Sequence, residues 1–247
     1  MFKGLGVESM KVLDLFSGIG GFSLGLERAG METVAFCEID EHAQKVLNKN
    51  WPNVPIYGDV RENDFMEVEA DVITAGSPCQ DISNAGSGSG IAGERSGLYR
   101  RVVDAVRVVR PKLAIMENVA AILARGMGSV LGDLAEVGYD AEWDCVCAHE
   151  VGAPHERDRA WIVAYPKCER QQGSRGYLNA IHKTPDAYRE ASGIVDAVQR
   201  EALPYVCGRH DGFSSKLDQD RLTALGNAIV PQIAEQIGRA IMEFENA

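Results

Sequence analysis

The chain has 247 residues, 45% of them hydrophobic and 25% charged, which is enough for one large α/β domain or two small ones. Its net charge of −11 argues against a general affinity for nucleic acid, and its short apolar runs predict no membrane span. The six cysteines show no disulfide-framework spacing, so we expect reduced thiols and a cytoplasmic location.

Short apolar runs alternate with amphipathic stretches along the first 140 residues. The runs predict five β-strands, at 11–16, 33–38, 54–57, 70–76 and 112–119. The amphipathic stretches predict four helices, at 22–30, 41–50, 98–110 and 129–138. This alternation predicts an α/β fold, in which a parallel sheet carries helices on both faces.

The second half of the chain has a different pattern. Two more strands are predicted at 141–151 and 159–165, and no helix separates them, so we expect an antiparallel edge. Residues 166–220 are polar, rich in glycine and without periodicity, which indicates a small inserted region. A final amphipathic helix is predicted within 222–244.

The acidic charge is concentrated at the N-terminal end. Residues 1–90 carry six Lys/Arg and fourteen Asp/Glu, whereas 91–112 carry six Lys/Arg and two Asp/Glu. Residues 155–190 carry seven Lys/Arg and five Asp/Glu. Two basic segments therefore remain available to an anionic partner, although the chain as a whole is acidic.

The first predicted strand enters the first predicted helix through the glycine-rich turn SGIGG. Glycines let a backbone approach a ligand, and a helix N-terminus favours an anion. Gly18 and Gly20 match a dinucleotide fingerprint, but Ser23 occupies its third position and disfavours an NAD oxidoreductase. Glu38 and Asp59 follow the next two strands, and acids at successive strand ends favour a nucleoside-bearing cofactor.

A cysteine follows the fourth predicted strand directly. Cys79 lies in GSPCQDISNAG, where small and polar neighbours favour a displayed thiol over a buried hydrophobic one. The Gly/Ser-rich run 84–97 that follows suits a loop that closes over a ligand or a flexible linker. Cys145, Cys147 and His149 alternate along a predicted strand without a second ligand pair, so we predict no metal site there.

Seven sequence blocks follow one another in a family-specific order: DLFSGIGGFSLGLERAG, FCEID, GDV, GSPCQDISNAG, MENV, HERDRAWIVA and GNAIVPQIAEQIG. The chain closely resembles the DNA (cytosine-5)-methyltransferase family, in particular compact bacteriophage or bacterial members. The resemblance implies a Rossmann-like, S-adenosylmethionine-dependent methyltransferase sheet, mostly parallel with an antiparallel edge. Residues 1–165 and 221–247 would form this catalytic domain, and 166–220 would form a reduced target-recognition region.

The resemblance also implies S-adenosyl-L-methionine as the methyl donor. Glu38 would hold the ribose hydroxyls, Asp59 would bind the adenine amino group, and Pro78 would lie between the cofactor and the target base. The full set of cofactor-binding positions implied by the family's motifs is Phe16, Gly18, Ile19, Gly20, Gly21, Glu38, Ile39, Asp59, Val60, Pro78, Leu98 and Asn227.

Four residues match the family's catalytic positions: Cys79, Glu117, Arg157 and Arg159. The Cys79 thiolate would add to carbon 6 of cytosine, which makes carbon 5 nucleophilic. Glu117 would serve nitrogen 3, and the two arginines would meet oxygen 2. A base inside a duplex is out of reach, so base flipping is implied. His155 replaces the glutamine that usually opens the arginine motif.

The implied substrate is double-stranded DNA, and a cognate restriction endonuclease is a candidate partner. We expect a monomer. Two alternatives remain at this point: an RNA (tRNA) cytosine-5 methyltransferase on the same fold, and a catalytically silent DNA-binding relative. The presence of Cys79, Glu117 and Arg157 argues against the silent relative.

Overall fold

The computed structural model describes residues 9–76, 98–151, 157–167, 176–179 and 228–246. Its strands are β1 (Lys11–Leu15), β2 (Glu32–Cys37), β3 (Ile56–Tyr57), β4 (Val72–Gly76), β5 (Leu113–Val119), β6 (Tyr139–Cys147) and β7 (Asp158–Pro166). Its α-helices are α1 (Gly21–Arg28), α2 (Glu41–Asn50), α3 (Leu98–Val109), α4 (Ile122–Arg125), α5 (Met127–Glu136) and α6 (Pro231–Glu245).

The strands form one seven-stranded sheet in the order β3-β2-β1-β4-β5-β7-β6. The first five of these strands run parallel, and β7 lies antiparallel to both β5 and β6. This arrangement confirms the predicted α/β fold with its antiparallel edge. The strand order reverses between β1 and β4, and the carboxyl ends of the strands at such a point form the usual ligand site of an open α/β sheet.

The prediction of a strand at 141–151 is wrong at both ends. The strand β6 begins at Tyr139, and after Cys147 the chain forms a 3-10 helix, Ala148–Val151. The Glu150 carboxylate accepts the Cys147 amide at 3.1 Å, and the Ala148 amide donates to the Arg157 carbonyl at 3.1 Å. These bonds satisfy the backbone locally and turn the chain towards β7.

Each face of the sheet carries its own apolar core, because side chains alternate along a strand. On one face, Leu13 and Leu15 of β1 pack with α3 and α5. On the other face, Val12 packs with α1 and α6. The second core contains the apolar stripe of α6, formed by Ile233, Ile237 and Ile241.

The helices α1 and α6 pack closely because small residues line their contact. A Cβ atom added to Gly25 would lie 2.3 Å from the Pro231 carbonyl oxygen, and one added to Gly238 would lie 2.8 Å from Ala29 Cβ. This approach places the residues that precede α6 against the start of α1. Within the described ranges, no helix has both the length and the apolar character needed to cross a membrane.

Candidate active site

The loop between β1 and α1 has a left-handed backbone at three positions. Phe16, Gly18 and Gly20 have φ values of 54°, 53° and 86°. The Gly20 amide donates to the Ser17 carbonyl at 2.9 Å, which closes a tight turn before the helix. Positive φ is costly for most residues and nearly free for glycine, so two of the predicted cofactor glycines are explained by conformation.

Packing around the same loop leaves no room for a side chain at two of its glycines. A Cβ atom on Gly20 would lie 2.6 Å from the ring of Trp51, and one on Gly21 would lie 2.6 Å from the Ile229 carbonyl oxygen. Trp51 and the segment before α6 therefore both pack against the loop. Its backbone forms a glycine cradle at the carboxyl end of β1.

Glu38 follows β2 and binds the glycine loop directly. Its Oε2 atom accepts the Gly18 amide at 2.7 Å, and its Oε1 atom accepts the Asp40 amide at 2.8 Å. The Glu38 amide itself donates to the Tyr57 carbonyl, so β2 and β3 together fix the residue. Ionised carboxylate oxygens offer about four acceptor positions, so two of them remain for further donors.

Asp59 follows β3 and pairs with Arg61. The Arg61 Nε atom lies 2.9 Å from each Asp59 carboxylate oxygen, and the Arg61 amide donates to Oδ1 at 2.9 Å. These bonds from Arg61 lower the pKa of Asp59 to about 2. The Asn63 side chain also donates to the Asp59 carbonyl at 2.7 Å. Asp59 is therefore a fixed, ionised acceptor beside Glu38.

The described part of the chain contains four more of the predicted cofactor residues: Ile19, Ile39, Val60 and Leu98. Ile39 is 63% exposed, which is unusual for an isoleucine, whereas Val60 is buried. Ile19 lies in the glycine loop, partly exposed, and Leu98 begins α3, where it packs partly against the first core. Three predicted site residues lie outside the described residues: Pro78, Cys79 and Asn227.

Glu117 lies near the end of β5 and is only 7% exposed. Its Oε1 atom lies 2.9 Å from Arg159 Nε and 3.9 Å from Arg157 Nη2. Burial raises the pKa of Glu117, and the two guanidinium groups oppose that rise without cancelling it. The structure thus brings together the three predicted catalytic residues that it describes.

The sheet register places this group next to the strand that leads to Cys79. Glu117 pairs with Gly76, the last residue of β4, and Gly76 precedes Cys79 by three residues in the sequence. A carboxyl group whose pKa is raised keeps its proton to a higher pH than a free carboxyl group does, and its protonated form can donate a hydrogen bond. The carboxyl edge therefore has a glycine cradle with two acids on one side and a buried acid with two cations on the other.

The family model of the C-5 cytosine-specific DNA methylases matches residues 10–205. The chain belongs to this family. It is 40% identical to the Type II methyltransferase M2.BsuMI of Bacillus subtilis (strain 168), over 63% of this chain and 42% of that protein. It is 37% identical to the Type II methyltransferase M.Eco47II of Escherichia coli, over 78% of this chain and 46% of that protein. The chain thus spans less than half the length of these curated relatives.

Two solved structures share the fold of this chain. The Entamoeba histolytica methyltransferase EhMeth superposes with a TM-score of 0.64 at 16% identity, over 96% of this chain and 98% of that chain. A prophage-encoded Escherichia coli protein superposes with a TM-score of 0.66 at 19% identity, over 97% of this chain and 100% of that chain. These two likenesses confirm the predicted Rossmann-like fold class.

Two of the three described cysteines, Cys37 and Cys145, are poor candidates for a nucleophile. Burial raises the pKa of Cys37 to about 12 and also raises the pKa of Cys145. The third, Cys147, is buried, and its sulfur lies 2.8 Å from His149 Nδ1. No group of three or more metal-binding side chains is found among the residues that the structure describes.

Three features around the candidate site were not predicted from the sequence. Asp14 is fully buried within β1, Arg61 pairs with Asp59, and Trp51 supports Gly20. A signal existed for the first of them, because KVLDLF places a lone carboxylate in an otherwise apolar strand. A buried acid needs hydrogen-bond donors, so the pattern indicated a polar network.

Proposed function

We propose that the methylase transfers a methyl group from S-adenosyl-L-methionine to carbon 5 of a cytosine flipped out of duplex DNA, through a covalent bond to Cys79. The observation that carries this proposal is the buried Glu117 carboxyl group, which lies between two arginines and beside the strand that leads to Cys79. Membership of the family of C-5 cytosine-specific DNA methylases supports carbon 5 of cytosine as the methylated position.

The residues at the carboxyl ends of β1, β2 and β3 fit the proposed cofactor. At Gly20 and Gly21 there is no room for a side chain, so the backbone itself would line the cofactor site. Glu38 has acceptor capacity left for ribose hydroxyls, and Ile39 offers an exposed apolar side chain for the ring. Asp59, ionised against Arg61, would share its carboxylate between Arg61 and the adenine amino group. When bound, S-adenosylmethionine supplies an electrophilic methyl group on a sulfonium centre.

Cys79 supplies the nucleophile in this proposal. Its thiolate would form a bond with carbon 6, and the ring electrons would move to carbon 5, which attacks the methyl group. The bond between that methyl group and the donor sulfur would break with its electron pair on sulfur, which leaves S-adenosylhomocysteine. Removal of the carbon 5 proton by a base, a role that water can fill, would return electrons to the ring, and the bond between carbon 6 and the Cys79 sulfur would break with its electron pair on that sulfur.

Glu117 would stabilise the ring during attack. Addition of a thiolate places negative charge on the pyrimidine, and a proton or hydrogen bond at nitrogen 3 offsets it. The raised pKa of Glu117 suits this role because a protonated carboxyl group can donate. Arg159 and Arg157 would meet the charge at oxygen 2, as preorganised cations do in oxyanion sites.

The domain division and the partners are also part of this proposal. We assign residues 166–220 to a reduced target-recognition region and the remaining chain to the catalytic domain. Duplex DNA is the proposed substrate, with a cognate restriction endonuclease as a candidate partner of a monomeric, cytoplasmic enzyme. Type II enzyme names among the relatives support the restriction-modification context.

A labelled-methyl assay tests the proposal. The protein is incubated with methyl-labelled S-adenosylmethionine and duplex DNA, and modified cytosines are mapped by bisulfite sequencing. We expect 5-methylcytosine at a defined set of sites and no label with Cys79→Ser, although that variant should keep its cofactor affinity. A folded protein that binds cofactor and leaves DNA unlabelled would contradict the proposal, and a preference for tRNA in the same assay would favour the RNA enzyme.

A further inference from the structure

Asp14 of β1 is a buried carboxylate at the centre of the carboxyl edge. Its Oδ2 atom accepts the Ser23 hydroxyl at 2.9 Å, and its Oδ1 atom accepts the Thr74 hydroxyl at 2.7 Å. All three residues are completely inaccessible to solvent. Ser23 belongs to α1 and Thr74 to β4, so one side chain joins three elements.

On the α1 side, Asp14 ties the first turn of the helix to β1. The N-cap residue of α1 is Gly20, which has no side chain to satisfy the first amides of the helix. Ser23 is the third residue of α1, and its hydroxyl donates to Asp14 Oδ2 at 2.9 Å. A carboxylate from the preceding strand therefore anchors the first helical turn, and with it the end of the glycine loop, where the helix has no side-chain cap.

On the β4 side, Asp14 holds the strand that leads to the proposed nucleophile. Thr74 pairs with Asp14 in the parallel register of β1 and β4, and the side-chain bond ties the two strands beyond their backbone ladder. Gly76 follows two residues later and pairs with Glu117. The bond to Thr74 thus helps to fix the end of β4, after which the chain continues to Cys79.

We propose that Asp14 is a positioning residue for the reaction, which holds the cofactor loop and β4, the strand that precedes Cys79 in the sequence, at a fixed spacing. The proposal rests on the proposed function, because it assigns the two ends of the network to the cofactor and to the nucleophile. The proposal has two parts, here called arms, that can be tested separately. In the cofactor arm, the bond to Ser23 holds the glycine loop, and in the nucleophile arm, the bond to Thr74 holds β4.

Three variants test the arms: Ser23→Ala, Thr74→Val and Asp14→Asn. The Kd of S-adenosylhomocysteine is measured by calorimetry and kcat by methyl transfer at saturating cofactor. We expect Ser23→Ala to raise the Kd about tenfold with kcat within about twofold, and Thr74→Val to lower kcat about tenfold with the Kd within about twofold. Asp14→Asn keeps the shape of the side chain and should change both quantities.

Asp71→Asn is the matched control. Asp71 Oδ2 accepts the Lys11 amide at 2.9 Å, so this carboxylate ties the same two strands at their opposite, amino ends. It should leave both the Kd and kcat within about twofold of the wild type. A purely structural role would raise the Kd of S-adenosylhomocysteine and lower kcat in all four variants, in parallel with a fall in their melting temperatures. That result would overturn the proposal.

The two proposals fail differently in this experiment. Wild-type protein that binds S-adenosylhomocysteine but transfers no methyl group contradicts the proposed function. In that case, an unchanged Kd in Ser23→Ala and Asp14→Asn would still overturn the role of Asp14, and a selective rise would support its cofactor arm. A wild-type protein that does not bind S-adenosylhomocysteine overturns both.

Discussion

The carboxyl edge of the sheet has two halves, in which Glu38 and Asp14 on one side and Glu117 on the other are held in different ways. In the cofactor half, at the ends of β1 and β2, Glu38 and Asp14 accept hydrogen bonds from backbone amides and hydroxyl groups. In the catalytic half, where β5 ends and β7 begins, Glu117 lies against the guanidinium groups of Arg157 and Arg159. Asp59 is the exception in the cofactor half, because Arg61 pairs with it. Amides hold an acceptor in one orientation, which suits neutral ligand hydroxyls, whereas nearby cations suit a group around which charge changes during a reaction.

The largest effect expected from this contrast concerns Glu117→Gln. The substitution removes the proton donor without changing the side-chain volume, so kcat should fall by about 100-fold or more. The Kd of S-adenosylhomocysteine should stay within about twofold, because Glu117 lies outside the proposed cofactor half. Glu69→Gln is the control, since the Glu69 side chain is 92% exposed. A parallel loss of cofactor affinity would break the comparison.

The next effect concerns Asp14 and the pH dependence of stability. Burial raises the pKa of Asp14 from 3.8 to about 7, against hydrogen bonds from Thr74 and Ser23 that lower it, and Glu38 contributes to the rise. Between these two pH values the folded state binds one more proton than the unfolded state. Stability from this group therefore falls as pH rises, by about 1.4 kcal/mol per pH unit.

Urea unfolding at pH 5, 6 and 7 measures this slope. The wild type should lose stability across the series, with Glu117 adding a loss of the same sign because its pKa is also raised. Asp14→Asn should remove the Asp14 part of the slope, and Glu117→Gln should change the slope in the same direction. An unchanged slope in Asp14→Asn would show that Asp14 is ionised in the folded protein throughout this range.

A smaller effect concerns the packing that supports the cofactor half. Gly25→Ala would place a Cβ atom 2.3 Å from the Pro231 carbonyl oxygen, so the free energy of unfolding should fall by about 1–3 kcal/mol. Gly132→Ala in α5 is the matched control, because nothing lies within 4 Å of its added Cβ. That variant should gain about 0.5–1 kcal/mol. Equal effects in thermal unfolding would argue against the close contact of α1 and α6.

The smallest effect expected here is that of Glu38→Gln. An amide side chain has one acceptor oxygen, so it cannot accept the Gly18 and Asp40 amides and a ribose hydroxyl as the carboxylate can. The Kd of S-adenosylhomocysteine should rise about tenfold, and kcat at saturating cofactor should stay within about twofold. Glu32→Gln, at the exposed start of β2, should leave both unchanged. A fall in kcat alone would contradict the division between the halves.

Most of the fold could be predicted because its signals are local. Apolar alternation and glycine turns marked the strands of the parallel half, and the missing helix before β7 indicated the antiparallel edge. The end of β6 could not be predicted, because it depends on Glu150 folding back onto the Cys147 amide. The short helix α4 was also missed, since four residues are too few for a periodic pattern.

The residues of the candidate site could be predicted, but the hydrogen bonds and contacts between them could not. Motif order placed Glu38, Glu117 and Arg159 at strand ends, and the topology brings them to one edge. The bonds of Asp14 to Ser23 and Thr74 join positions 9 and 60 residues apart. Such contacts depend on strand order and register, which periodicity does not determine. The contact of Trp51 with Gly20 could not be predicted either, because it joins residues that are distant in the sequence.

The covalent step is tested most directly with a trapping substrate. Duplex DNA in which cytosine is replaced by 5-fluorocytosine is incubated with the protein and S-adenosylmethionine, because fluorine at carbon 5 cannot leave as a proton does. We predict a denaturation-resistant protein–DNA adduct that maps to the Cys79 peptide by mass spectrometry and that is absent in Cys79→Ser. Methylation of ordinary DNA without any trapped adduct, or an adduct on another residue, would contradict the account.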